Sequence, residues 1–124
     1  MVKYLHLNDI NSYKTSFELS NFVWNIVITW NNLAKYTVGQ QFINAIDSVS
    51  ANIAEGFGRY HKKDKIKFYY NSRASVYESL DWLQKAKVRK LITSEEYQKV
   101  FSILQALPKE INSLINYTNS HLSV

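Results

Sequence analysis

The chain has 124 residues, 46% of them hydrophobic and 20% charged, with three glycines, one proline, no cysteine and a net charge of +5. That length suits one domain around one core, so few Gly and Pro residues argue against the many turns of a β protein, and the lack of Cys excludes disulfides, thiolate zinc sites and cysteine nucleophiles. No stretch is long and apolar enough to span a membrane, and the opening MVKYLHLNDINSYK lacks the apolar run and cleavage site of a secretory signal, so a cytoplasmic protein with no membrane contact is expected.

Four helices are predicted in chain order, making residues 1–124 a single all-α domain. The first covers about 12–34, with Leu19, Phe22, Val23, Ile26, Trp30 and Leu33 at three- and four-residue steps. Thr37 and Gln40 have the spacing of a capping box and open the second, 38–56, whose stripe is Phe42, Ile46, Val49 and Ile53. The third covers 63–90 and carries Ile66, Tyr69, Tyr70, Val76, Tyr77, Leu80 and Leu83. Thr93 and Glu96 form a second capping box that opens the fourth, 94–118, with Tyr97, Val100, Phe101, Leu104, Leu107, Ile111, Leu114 and Ile115 as its inward stripe and Pro108 predicting a kink without a break. Short connections between amphipathic helices predict an antiparallel up-down-up-down four-helix bundle.

Gly56 and Gly58 close a helix instead of opening one, which excludes a phosphate-cradling loop and predicts a left-handed C-terminal cap. His6, His61 and His121 share no ligand spacing, so neither a metal nor a cofactor is expected. Asn52 and Glu55 share one helix face, with Arg59 a turn further on, and Ser75 and Glu78 repeat the three-residue step on the next helix. These five predict a structural polar network between helices two and three. Read as chemistry, Glu55 and Glu78 would be an acid–base pair, but no further catalytic group supports them, and no enzyme is expected.

Charge is concentrated: residues 59–90 hold ten Lys and Arg against three acids, a local +7, while the remainder is −2. Lys85, Lys87, Arg89 and Lys90 end a helix, where the dipole favours cations. Arg59, Lys62, Lys63, Lys65 and Lys67 crowd a helix start, where it disfavours them. That mismatch points to a phosphate backbone, to an acidic face of a neighbouring subunit, or to a merely solvated cluster, with Tyr60 and His61 interleaved as stacking groups.

Asn-Ile-Ala-Glu-Gly at 52–56, Gly58-Arg59, Phe68 and Ala74-Ser-Val-Tyr-Glu78 resemble the S23, or 23S rRNA intervening-sequence, proteins over residues 37 to 91. The resemblance implies a four-helix bundle without established enzymatic activity that assembles into a homo-oligomer, typically a pentameric ring, and a distantly similar bundle binds nucleic acid through a basic ring. Asn52, Glu55, Arg59, Ser75 and Glu78 fall on the family's polar signature. Ala74, Ser50 and Ser79 depart from its usual Gly, Pro and Leu, and Phe42-Ile43-Asn44 replaces a stretch that is often basic. The resulting expectation is a non-catalytic oligomeric bundle that binds RNA or DNA backbone through Arg59, Lys62, Lys63, Lys65 and Lys67, with Lys87, Arg89 and Lys90 secondary. The alternative is a protein-interaction or scaffold module in which the same charges meet a sister subunit or a protein partner.

Overall fold

A computed structural model describes residues 6–123, so the domain expected over 1–124 extends beyond the described residues at both ends. Among them every regular element is helical: α1 (Asn11–Val27), α2 (Gln40–Phe57), α3 (Lys62–Val88) and α4 (Ser94–His121). Each helix packs on the next, and α1 closes against α4, which leaves α1 and α3 diagonally opposite. Short connections reverse the chain at each step, the arrangement expected of such a bundle.

The Thr93–Glu96 box forms as expected, with the Glu96 N–H donating to Thr93 Oγ1 at 3.1 Å and the Thr93 N–H to Glu96 Oε1 at 3.0 Å. Pro108 lies within α4, which continues to His121. The Thr37 box does not form. The first helix stops at Val27, and the chain restarts at Asn31, whose side chain accepts the Ala34 N–H at 3.0 Å. A single helical turn, Asn32–Ala34, passes into a π-helical turn, Lys35–Gly39, and directly into α2. Thr37 is therefore already inside a helix, and its hydroxyl donates to Leu33 O. The expected first helix thus ends seven residues early, and Leu33 is exposed instead of buried.

The glycines also differ from expectation. Neither Gly56 nor Gly58 is left-handed; Gly58 has φ −78°. The one left-handed residue among those described is Lys90, at φ 59°, just past α3. The Leu91 N–H then reaches back to Ala86 O at 2.9 Å, which closes the end of α3 in the manner of a Schellman turn. A side chain strains that conformation by roughly 1 kcal/mol. Lys90→Gly should raise the unfolding free energy by about that amount, measured by urea denaturation.

The core confirms the stripes of α2 and α4: Phe42, Ile46, Val49 and Ile53 are sealed, as are Val100, Leu104, Leu107 and Ile111. On α3 the buried seam is Tyr69, Ser72, Val76, Ser79, Leu83 and Ala86, a three-four repeat of mostly small residues. Tyr70 and Tyr77, expected inside, are 48% and 59% exposed. On α1, too, Ser12, Ser16 and Ser20 face inward while Phe17 and Trp24 are about half exposed. Most of these inward hydroxyls are satisfied by backbone: Ser16 donates to Tyr13 O, Ser20 to Phe17 O, Ser79 to Ser75 O, and Ser72 across the interface to Val49 O at 2.7 Å. A short side chain that hides its own hydroxyl can occupy a core position and lets two helices approach closely.

Candidate nucleic-acid interface

The expected polar network joins nothing between α2 and α3. Asn52 Nδ2 donates to Ser48 O and Ser75 Oγ to Asn71 O, each within its own helix. Glu55 pairs with Arg59 at 3.7 Å, both well exposed, and Glu78 is exposed. The reason is register: α2 and α3 approach so closely at Gly56 that the seam is filled by Tyr69, Ser72 and backbone. Polar links between helices come from other residues. Ser72 reaches α2, Arg73 Nη1 donates to Asn112 Oδ1 on α4 at 2.7 Å, and Gln84 donates to the Tyr97 hydroxyl.

The basic residues divide by position. α3 has 27 residues, so at roughly 1.5 Å of rise each, about 40 Å separates Lys62 from the end that carries Lys87, Arg89 and Lys90. The second group is therefore at the opposite end of the bundle. There Lys87 Nζ lies 4.3 Å from the Tyr97 ring centre, while Arg89 and Lys90 are exposed.

At the α2–α3 corner, two lysines have structural work that sequence alone does not reveal. Lys65 Nζ donates to Phe57 O at 2.7 Å and to Gly56 O at 3.4 Å, and partial burial lowers its pKa from the usual lysine range. Lys62 Nζ reaches Asn119 O at 3.4 Å. Both ammonium groups meet carbonyls near a helix C-terminus, where bonding partners are missing and the dipole is negative. The charge that is unfavourable at the start of α3 is thus favourable against its antiparallel neighbours α2 and α4.

Three cations remain directed outward. Lys63 and Lys67 are exposed, and the Arg59 guanidinium is 4.7 Å from the centre of the Phe68 ring, with Lys67 Nζ 5.8 Å from that same ring. Tyr60 is 75% exposed and meets His61 edge-on at 5.0 Å. Glu55 and Asp64 are the nearby acids in sequence, so the corner is net cationic with an aromatic at hand, which suits phosphate contact with little base readout.

No group of three or more His, Cys, Asp or Glu among the described residues could hold a metal ion. No helix there is long and apolar enough to cross a membrane.

Residues 8–113 match the family model described as 23S rRNA-intervening sequence protein. A solved structure with the same architecture is a protein of unknown function from the S23 ribosomal protein family of Bacteroides thetaiotaomicron VPI-5482. It is 21% identical, the likeness covers 84% of this chain and 97% of that one, and the TM-score is 0.77. At that identity the likeness is one of fold. No curated protein matches the chain.

Proposed function

The chain belongs to the family of 23S rRNA-intervening sequence proteins, and from that premise we propose that it is a non-catalytic, ring-forming bundle that binds nucleic-acid backbone through Arg59, Lys63 and Lys67. The observation that carries the binding reading is that these three cations point outward at one end of the bundle while Lys62 and Lys65 are engaged with carbonyls. The contact is with phosphate, so RNA and DNA both qualify.

Support for a ring comes from the surface. Phe17 and Trp24 on α1, and Tyr70 and Tyr77 on α3, are exposed on helices diagonally opposite in the bundle. Two different apolar faces on opposite sides of one subunit favour a head-to-tail contact, which closes into a ring when the rotation permits. A pentamer is the assembly expected, with a light-scattering mass five times the chain's 14.5 kDa.

The test of binding is a salt titration with structured RNA. The combined Lys63→Gln and Lys67→Gln variant should lower affinity for every sequence alike and reduce the slope of log affinity against log salt by about 2. A flat wild-type slope, or no loss in the variant, removes the reading. If the variant instead loses its oligomer, the basic corner serves subunit or partner contacts, and the protein is an interaction module.

A further inference from the structure

The end of the bundle opposite the basic corner holds a cleft of about 400 Å³ between the π-helical turn and the end of α3. We infer that this cleft takes an unpaired nucleobase with its phosphate, giving the protein a single-strand contact separate from the backbone contact at the corner; the inference rests on the nucleic-acid reading above.

Two aromatic rings line it, Tyr36 from the π turn and Trp82 from α3. Tyr36 is 67% exposed. It gains nothing from the core, and its position follows from the wide turn between Lys35 and Gly39. Such π turns are rare and recur at functional sites. Lys85 Nζ lies 4.2 Å from the centre of the Trp82 ring and pairs with Asp81 at 2.6 Å, so the pair supports that ring without adding net charge, and the cleft's own cation is Arg89.

The remaining chemistry selects the ligand. Arg89 lines the cleft, its guanidinium has no hydrogen bond or ion pair among the described residues, and no acidic side chain lines the cleft. The cleft therefore favours an anion. Gln40 and Gln41 add exposed amides, each offering a donor and an acceptor, the pattern that meets base edges without fixing one base. Flat rings, a planar cation and amides together fit a base and its phosphate better than a fatty or acidic ligand. A base within a duplex keeps its faces stacked on its neighbours, so the site discriminates for single strands.

The experiment uses the full chain with two probes, a single-stranded oligouridylate carrying photoreactive 5-iodouridine and a duplex RNA of similar length, each titrated over a range of salt. Tyr36→Ala should weaken oligouridylate binding about tenfold with the salt slope unchanged and leave duplex binding as in the wild type. Crosslinked peptides should contain Tyr36 or Trp82. Because Tyr36 is largely exposed, the variant should keep its helical signal and melting temperature, and Arg89→Gln gives a second variant that should lower both affinity and slope. Wild-type affinity in Tyr36→Ala, or crosslinks confined to the 59–67 corner, overturns the cleft and leaves the corner standing. Binding of duplex but not oligouridylate does the same, whereas no binding of either probe removes both readings. Loss of the oligomer in Tyr36→Ala also overturns it, and marks this surface as a subunit contact.

Discussion

Replacing Gly56 with alanine should destabilise the bundle by about 3 kcal/mol, the upper range for overpacking, whereas the same change at Gly58 should stabilise it by about 0.5 kcal/mol. A β-carbon on Gly56 would lie 2.7 Å from Tyr69 Cε1 and 2.9 Å from Lys65 O. The ring is buried and the carbonyl is backbone, so neither yields cheaply. At Gly58 the nearest atoms are 3.7 Å away and the backbone is right-handed. There alanine restricts only the unfolded chain. In a chain of this size each kcal/mol moves the melting temperature by about 4 °C, so calorimetry should show two glycines two residues apart responding with opposite sign. A shared response would mean that α2 and α3 are not in contact as described.

Tyr69→Ala should cost about 4 kcal/mol, as for other large aromatic truncations in a core. The ring is 2% exposed and fills the space left by Gly56 on α2. Tyr69 thereby locks α3 against α2. Combined with Gly56→Ala, the cost should be smaller than the sum of the two, because the smaller side chain makes room for the added methyl. Tyr69→Phe, which keeps the ring and its packing, should cost far less than Tyr69→Ala. Burial also pushes the Tyr69 phenol from 10 to about 12. Its raised value means that folding favours the neutral form, so this contribution is complete below about pH 10 and is lost as pH rises toward 12. The full loss is about 3 kcal/mol at 1.36 kcal/mol per unit. Urea titrations across that range should show the wild type weakening more steeply than Tyr69→Phe, and parallel curves would contradict a buried phenol.

What the sequence shows of the fold is what local spacing controls. The α2 and α4 stripes and the Thr93 box are short-range patterns, and they occur as expected. The break after Val27 is hidden because Trp30 is again buried and continues the apolar rhythm across the turn. The α3 seam is hidden for a different reason. Ser72 and Ser79 look polar but conceal their hydroxyls, while Tyr70 and Tyr77 look like core and face outward. Among the basic residues, their clustering is legible, but the engagement of Lys62 and Lys65 depends on carbonyls of Asn119 and Phe57 brought in by folding. The placement of Tyr36 depends on a π turn that leaves no periodic trace.

The cyclic packing order of the helices also governs how the chain finds its fold. Among the described residues, three of the four main helix–helix interfaces join consecutive helices, and the contact of α1 with α4 links the most distant parts of the sequence. Low contact order of this kind favours fast folding, since little loop entropy is lost before native contacts form. Ring closure of the bundle by α1 and α4 is then the longest-range event. Substitutions at that interface should change the folding rate most if the closure belongs to the transition state, and the unfolding rate most if it comes after it.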